Sequence, residues 1–482
     1  MSDLSKKVSK GLIWTYLERI AAQVVTLIIT VVLARLIAPA EYGIIAIVTI
    51  FITIADSFVT SGFGNALIQK KDADDLDFST TFYFSIAFSF VIYLILFFCA
   101  PLIATFYDMP QLIPVIRVMG LRLPIAAINS VQQAYVSKTM EFRKFFFSTI
   151  GGTLVSAAAG ILFAWLGFGV WALVVQYLSN VTIGTIVLCF TSGWRPKLIY
   201  SQKRMNKMLS FGWKIMFVGV ATSVYANLRN LAIGKKFNEV ELSYSTKGEQ
   251  FPNTIAGNIN SSISKVLFPV LAENQNDIFA IKSIMRRSIT VGNYVLMPIL
   301  FGLAVVAEPF VLVLLGDAWA ECIPFLQIMC IVYALQPMQT SSMQAMKALG
   351  KGTVYLVSDV IKKIFGIIVL VVTILCFDSV LAIILGALVT ELFAALINIP
   401  INKKLIKYTY KEQFLDLLRP TLLTAVMCLA AWLVSLIAMP MPLRLILQVL
   451  AGMVAYVSAS IFTRDTTFKY ILGLLKKMVK GQ

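Results

Sequence analysis

Apolar runs of about 20 residues recur along the whole chain, and they constrain the fold more than any other feature of the sequence. A run of that length is what an α-helix needs to cross a hydrocarbon core roughly 30 Å thick. Charged residues make up 13% of the chain, whereas a soluble domain has roughly 25%. The strands of a membrane barrel would instead alternate apolar and polar residues. We therefore expect an all-α polytopic membrane protein.

One segment, "SYSTKGEQFPNTIAGNINSSISK" at residues 243–265, is long enough to cross a membrane but rich in polar residues. The other spans are clear as apolar runs, in keeping with a mean hydropathy of +0.84 for the whole chain. They are predicted near residues 11–37, 41–66, 78–106, 111–136, 142–166, 168–191, 208–233, 278–307, 320–348, 352–377, 379–401, 413–437 and 441–462.

The distribution of Lys and Arg indicates that residues 243–265 span the membrane. Upstream, the basic residues fall in alternate loops, and the turns "APA", "DMP" and "LGF" hold none. If the segment spans, the downstream basic loops also lie on the cytoplasmic side and only Arg444 lies outside; if it is a loop, this bias reverses. We therefore expect 14 transmembrane helices, with both termini cytoplasmic. The net charge of +17 then reflects attraction to anionic lipid headgroups, and we expect no nucleic-acid partner.

A weak internal similarity predicts the domain organisation. At an offset of 200 residues, "LARLIAPAEYGIIAIV" aligns with "AIGKKFNEVELSYSTK", so that Arg35 meets Lys235 and Glu41 meets Glu241. Chance similarity between apolar segments is the alternative. Repeats of this kind are typical of transporters, with the substrate site between two lobes. The predicted divisions are a six-helix N-lobe (1–195), a basic cytoplasmic linker (196–207), a six-helix C-lobe (208–405), two further helices (406–465) and a cytoplasmic amphipathic tail (466–482).

Polar and charged side chains inside the predicted spans are the candidate site residues, because a charge in a membrane is costly unless it is solvated or paired. Cations outnumber acids among them, which suits an anionic ligand, and Arg side chains match phosphate oxygens. The accompanying amides and hydroxyls suit sugar hydroxyls. The predicted substrate-binding residues are Arg19, Gln23, Asp56, Arg122, Arg229, Lys247, Gln250 and Lys265.

Structural explanations remain open for several of these cations. Arg19 is next to Glu18 and Lys247 is close to Glu249, so each can form an ion pair within its helix. Lys247 and Arg229 also lie near helix ends, where long side chains extend to the membrane interface.

Interhelical packing is the alternative for Arg122, and the cytoplasmic rim is the alternative for Lys265. Coupling to a proton or sodium gradient is expected by analogy with other transporters, and Asp359 and Glu391 are the candidate residues. For these two acids, ion pairs with neighbouring lysines are the alternative.

Catalytic chemistry is not expected. The chain has no His, which removes the commonest general base and metal ligand. Its six Cys lie mostly in apolar runs without paired spacing, and no GxxxxGK[ST] phosphate loop occurs. We predict no catalytic residues, no metal and no cofactor, and a protein that is not an enzyme.

Several motifs resemble the bacterial polysaccharide transporter family, the Wzx-type flippases of lipid-linked oligosaccharides. They are "LARLIAPAEYGIIA", "IADSFVTSGFGNALIQKKD", "SKVLFPVLAENQND" and "LLGDAWAECIPFLQIMCIVYALQPM". The resemblance covers essentially the whole chain and implies the fold of the multidrug/oligosaccharidyl-lipid/polysaccharide exporter superfamily, with two bundles around a central cavity. The chain departs from the family pattern in "SYSTKGEQFPNT", where Glu249 adds an acid.

The resemblance implies a flippase that moves undecaprenyl-diphosphate-linked oligosaccharide repeat units from the inner to the outer leaflet by alternating access, for capsule, exopolysaccharide or O-antigen biosynthesis. Its expected partners are the polyprenyl-diphosphate oligosaccharide, membrane lipids, and the polymerase and glycosyltransferases of the same pathway. The alternatives are a peptidoglycan lipid precursor flippase, a drug/cation antiporter of the same superfamily, and a non-transporting scaffold of the polysaccharide assembly machinery.

Overall fold

The computed structural model describes residues 22–70 and 72–479, and no strand occurs among them. These residues form a succession of α-helices with one 3-10 helix, Asp317–Cys322. The α-helices are α1 Ala22–Leu36, α2 Pro39–Thr60, α3 Phe63–Gln69, α4 Asp75–Tyr107, α5 Leu112–Gly120, α6 Arg122–Thr139, α7 Arg143–Trp165, α8 Val170–Ser192, α9 Gln202–Lys236, α10 Glu239–Glu273, α11 Ile278–Val305, α12 Ala307–Leu314, α13 Ile323–Ala334, α14 Gln336–Ala348, α15 Gly352–Cys376, α16 Val380–Ile406, α17 Tyr410–Ser435, α18 Met441–Phe462 and α19 Thr466–Val479.

The predicted all-α polytopic membrane fold is confirmed. Within the described residues, 10 helices are long and apolar enough to cross a membrane, or 11 if α9, which bends by 47° near residue 211, counts as one span. The ambiguous segment 243–265 lies inside the continuous helix α10. The total of 14 spans stays a prediction, because α10 is only weakly apolar, α15 carries the charged residues Asp359, Lys362 and Lys363, and α1 is described only from Ala22.

The described chain divides into two compact units, Met1–Ser243 and Tyr244–Gln482. The first unit contains α1 to α9 and the first residues of α10, and the second contains the remaining helices. The domain boundaries expected from the sequence, and the arrangement of two lobes around a central cavity, stay predictions.

Small residues bring the helices of the first unit close together. A Cβ atom on Gly152 of α7 would lie 2.6 Å from the backbone oxygen of Asn180 on α8. A Cβ on Gly62, just before α3, would lie 2.7 Å from the backbone oxygen of Gly212 on α9. Membrane helices commonly pack through such small residues, because lipid supplies no hydrophobic drive for association. The polar faces of α6, α7 and α8 are therefore held within reach of one another.

Ion pairs fasten the segment between α8 and α9 to the start of α4. Lys197 Nζ lies 2.5 Å from Asp75 Oδ2, and Arg204 Nη1 lies 2.5 Å from Asp74 Oδ1 and 3.2 Å from Asp77 Oδ2. The indole of Trp194 packs 5.7 Å from the ring of Phe78. The predicted linker is therefore a fixed part of the first unit, because its basic residues bind the acidic turn that begins α4.

Helix α10 packs closely in the second unit. A Cβ on Gly248 would lie 2.8 Å from the backbone nitrogen of Leu326 and 2.9 Å from Cβ of Phe325. Further along the chain, Leu267 and Leu271 of α10 join Ile281 and Met285 of α11 in a buried apolar cluster. This packing holds the polar helix α10 in place although its own sequence is only weakly apolar.

Candidate functional site

A polar cavity of about 530 Å³ lies within the first unit. Its walls come from α2, α3, α6, α7 and α8, and its lining carries one ion pair together with amide and hydroxyl side chains. The lining residues are Asp56, Thr60, Gly64, Ile68, Arg122, Ala126, Asn129, Ser130, Gln133, Ala134, Ser137, Ser148, Thr149, Tyr177, Asn180, Val181 and Gly184.

The charged part of the cavity is formed by Asp56 of α2 and Arg122 of α6. Arg122 Nη2 lies 3.8 Å from Asp56 Oδ2, and the two side chains keep 32% and 22% of their surfaces exposed. Within the described chain, Arg122 Nε and Asp56 Oδ1 are buried without a hydrogen-bond partner. Buried polar groups are normally hydrogen-bonded, so both side chains keep unsatisfied hydrogen-bonding capacity, and it is their exposed parts that line the cavity.

The uncharged part of the cavity is a row of amides and hydroxyls along α6 and the helices facing it. Asn129 Nδ2 donates to Thr185 Oγ1 at 2.8 Å, and Gln133 Nε2 donates to Asn129 Oδ1 at 2.5 Å. Ser148 Oγ donates to the backbone oxygen of Gly184 at 2.6 Å. Amides and hydroxyls both donate and accept hydrogen bonds, so this wall is suited to an uncharged ligand rich in hydroxyl groups.

The structure brings together two of the predicted site residues of the first unit, Asp56 and Arg122. Gln23 is exposed on α1, and Arg229 is half-buried on α9. Arg19 lies outside the described residues. The functional roles of all five stay predictions.

In the second unit, the three predicted site residues of α10 have different surroundings. Lys247 is 6% exposed, and its Nζ lies 5.3 Å from the ring centre of Trp319. Gln250 is half-buried and Lys265 is exposed. The acid near Lys247, Glu249, accepts a hydrogen bond of 2.6 Å from the hydroxyl of Tyr333. Lys247 is therefore held against an aromatic ring, where a cation is attracted to the ring face.

The two candidate coupling acids, Asp359 and Glu391, also differ in their exposure and contacts. Asp359 is 39% exposed and pairs with Lys363 one helical turn away, at 2.9 Å. Glu391 is half-buried on α16, and its backbone oxygen accepts from Gln339 Nε2 at 3.5 Å. The surface ion pair gives Asp359 a structural explanation, so Glu391 is the stronger candidate for coupling.

A polar network that the sequence did not reveal links α14, α15 and α16. Lys362 Nζ donates to Asn398 Oδ1 at 2.6 Å, and Asn398 Nδ2 donates to Gln339 Oε1. Asn398 is 1% exposed. The side chain of Lys362 turns toward α16, where Asn398 offers a buried acceptor.

Sequence reasoning also does not identify four residues of the cavity: Tyr177 and Asn180 of α8, and Ser148 and Thr149 of α7. They carry no charge, and the only signal in the sequence is a polar group within an apolar span. No group of three or more His, Cys, Asp or Glu that could hold a metal ion occurs in the part of the chain that the structure describes.

Three comparisons with known proteins bear on this arrangement. Teichuronic acid biosynthesis protein TuaB of Bacillus subtilis (strain 168) is 23% identical over 473 residues, covering 95% of each chain. Lipopolysaccharide biosynthesis protein WzxC of Escherichia coli (strain K12) is 25% identical over 341 residues, covering 69% of this chain and 68% of that protein. A structure of the lipid II flippase MurJ in an inward closed conformation matches with a TM-score of 0.74 at 14% identity, covering 94% of this chain and 99% of the other.

The likeness to MurJ shows a shared fold, in agreement with the transporter fold that the sequence motifs imply. Residues 32–324 match a family model described as polysaccharide biosynthesis protein. Because that match covers more than half of the 482 residues, the chain belongs to the polysaccharide biosynthesis protein family.

Proposed function

We propose that this protein is a flippase that moves a polyprenyl-diphosphate-linked oligosaccharide repeat unit from the inner to the outer leaflet of the bacterial inner membrane, for the assembly of a surface polysaccharide. The observation that carries the proposal is the cavity of about 530 Å³, which places amides, hydroxyls and one arginine–aspartate pair inside a bundle of apolar helices. Such groups are costly within a membrane unless they have a function.

The chemistry of the cavity matches the two parts of this substrate. The amides and hydroxyls of Asn129, Gln133 and Asn180 offer donors and acceptors to sugar hydroxyls. Arg122 offers a guanidinium to the diphosphate, because its side chain is 32% exposed and lines the cavity. Charge-assisted hydrogen bonds from arginine to phosphate are roughly twice as strong as neutral ones.

The relatives support the same substrate class. TuaB and WzxC are named for the biosynthesis of teichuronic acid and lipopolysaccharide, and MurJ is named as a lipid II flippase. Two of these names thus refer to biosynthesis, and the third refers to the flipping of a lipid. A surface oligosaccharide fits this chain better than a peptidoglycan precursor, because its relatives in sequence are polysaccharide proteins.

The proposed mechanism is alternating access, in which the saccharide and diphosphate bind from the cytoplasmic leaflet and are released to the outer one, while the polyprenyl chain stays in lipid. No bond of the substrate is formed or broken. A proton or sodium gradient drives the cycle, with Glu391 as the proposed coupling residue. Neutralisation of this acid is expected to uncouple transport from the gradient.

The test is a flipping assay in proteoliposomes with a fluorescent polyprenyl-diphosphate oligosaccharide. Wild type should flip the lipid, and Arg122→Ala should slow it about tenfold or more, the loss expected for a phosphate contact worth roughly 1.4 kcal/mol. Arg19→Ala and Lys247→Ala test the other two predicted cations in the same assay. Absence of flipping by the folded wild type, or export of cationic drugs instead, would reject the proposal.

A further inference from the structure

A second cavity, of about 610 Å³, lies in the second unit between α10 and α11. Unlike the polar cavity of the first unit, its walls are mostly apolar. We call it the α10–α11 groove; its lining residues are Asn258, Ile259, Ser262, Ile263, Val266, Leu267, Val270, Ile284, Arg287, Ser288, Val291, Gly292, Val295 and Tyr470.

A single cation, Arg287, lies in this groove. Its guanidinium carbon is 4.5 Å from the ring centre of Tyr470 on α19, which positions it by a cation–π contact. The adjacent Arg286 differs, because its guanidinium binds Asp416 at 2.7 Å and Glu412 at 3.2 Å. Among residues 22–70 and 72–479, no ion pair of Arg287 is found. Arg287 is exposed and is therefore free to bind an anion.

The apolar walls continue from Arg287 along both helices. Val295 lies eight residues further along α11, a distance of about 12 Å at the helical rise of 1.5 Å per residue. On the facing helix, Val266 is 65% exposed. The groove thus combines one cation with adjoining apolar walls. This arrangement suits a lipid that carries a phosphate at one end of its chain.

We propose that the α10–α11 groove binds the phosphate end and the first isoprene units of the polyprenyl diphosphate carrier. This inference rests on the proposed function and adds to it an entry site for the carrier, separate from the polar cavity in which Arg122 binds the diphosphate. The groove offers one arginine, Arg287, and apolar side chains that follow it along two helices, so it suits an occupant with one phosphate end and one long chain, whereas a phospholipid would bring two chains to one phosphate. A polyprenyl diphosphate has one chain and matches the groove.

The predicted orientation of the chain in the membrane agrees with a polyprenyl diphosphate in the groove. The turn between α10 and α11 and the helix α19 both belong to the side that the Lys and Arg distribution assigns to the cytoplasm. A carrier lipid that is loaded with sugar on the cytoplasmic side presents its diphosphate at that level. The groove is therefore placed where the carrier enters.

The test uses the full-length protein in nanodiscs with a benzophenone-bearing farnesyl diphosphate as the probe. After irradiation, peptide mass spectrometry should find the label within residues 258–270 or 284–295. Unlabelled farnesyl diphosphate should displace the probe, and phosphatidylglycerol should not. A label at other segments, or equal displacement by phosphatidylglycerol, would overturn the proposal.

Variants sharpen the test. Arg287→Ala should reduce labelling about tenfold, the loss expected for a charge-assisted contact worth roughly 1.4 kcal/mol, while Arg287→Lys should keep part of it because the charge remains. Val291→Trp should block the groove. Leu356→Trp is the matched control, because Leu356 is an exposed apolar residue of α15 that does not line the groove. Undiminished labelling of folded Arg287→Ala would contradict the proposal.

The same preparations separate this inference from the proposed function. Flipping without label in the groove overturns the lipid site alone. Label in the groove without flipping supports the lipid site and rejects the flippase. Thermal unfolding of each variant shows which losses reflect misfolding, and the mapping of the wild-type label does not depend on any variant.

Discussion

Asp56 on α2 and Arg122 on α6 form an ion pair in the wall of the polar cavity of the first unit, with 3.8 Å between Asp56 Oδ2 and Arg122 Nη2. At this distance the charges attract each other, but the contact is longer than a hydrogen bond. Each residue also keeps a buried polar atom without a partner in the described chain. The two charges of the pair therefore offset each other at the cavity wall, and the contact of Arg122 with a phosphate stays a prediction.

Removal of Arg122 is expected to affect stability and transport for different reasons. Arg122→Ala leaves the largely buried Asp56 without its counter-charge, at a cost of about 1–3 kcal/mol. Adding Asp56→Asn removes that charge, so the double variant should regain stability. It should not regain flipping, because the guanidinium is still missing. Thermal unfolding in detergent and flipping in proteoliposomes measure the two effects separately.

Arg117→Ala is the matched control for this pair. Its guanidinium lies 4.2 Å from the ring centre of Phe97, and the residue does not line the cavity. We expect a loss of stability with little change in the flipping rate of the folded protein. If the double variant at positions 56 and 122 flipped at the wild-type rate, Arg122 would act only through Asp56 and not on the substrate.

The contrast between Asp56 and Asn180 shows how far the sequence predicts the cavity. A charge inside an apolar span is conspicuous because it is costly there, so Asp56 and Arg122 were recognised as candidates. Asn180 carries no charge and lies in an otherwise apolar helix, so nothing distinguishes it until α7 and α8 are seen to pack together. Sequence patterns identify the costly residues but not the cavity that they line.

The sequence likewise predicts where the helices lie but not the contacts between them. The basic loops indicated that residues 243–265 continue as a helix, and α10 confirms the helix. The hydrogen bond from Lys362 to Asn398 has no such signal, because the two residues lie 36 positions apart in the sequence. Contacts of this kind depend on tertiary packing and leave no periodic signal.

Substitution by alanine is expected to have different effects on stability at two glycines of α10. A Cβ on Gly248 would lie 2.8 Å from the backbone nitrogen of Leu326, whereas a Cβ on Gly257 would meet nothing within 4 Å. Gly248→Ala should destabilise the fold by about 1–3 kcal/mol through overpacking. Gly257→Ala should be neutral or stabilise it by up to about 1 kcal/mol, because alanine favours a helix. Thermal unfolding midpoints test this ranking, and equal midpoints would show that α10 does not pack closely at Gly248.

Neighbouring lysines on α15 provide a second matched pair. Lys362→Met removes the donor to Asn398, which is 1% exposed, and should cost about 1–3 kcal/mol for an unsatisfied buried acceptor. Lys363→Met breaks a half-exposed ion pair with Asp359 and should change stability by at most about 0.5 kcal/mol. Denaturant unfolding of both variants measures the difference. A larger loss for Lys363→Met would mean that the network around Asn398 is not structural.

The acidic turn before α4 predicts a dependence of stability on pH. Hydrogen bonds from the Arg204 guanidinium and from the Asp77 backbone N–H hold the pKa of the Asp74 carboxyl well below its ordinary value of 3.8. Because the pKa is lower in the folded state, the stabilisation is complete above the ordinary value and is lost as the pH falls through the depressed one. Asp74→Asn should therefore lower the unfolding midpoint at about pH 6 and have a smaller effect at about pH 3. Asp72→Asn in the same turn is the control, since no ion pair of Asp72 is found in residues 22–70 and 72–479. An equal loss at both pH values would show that Asp74 acts through its shape and not through its charge.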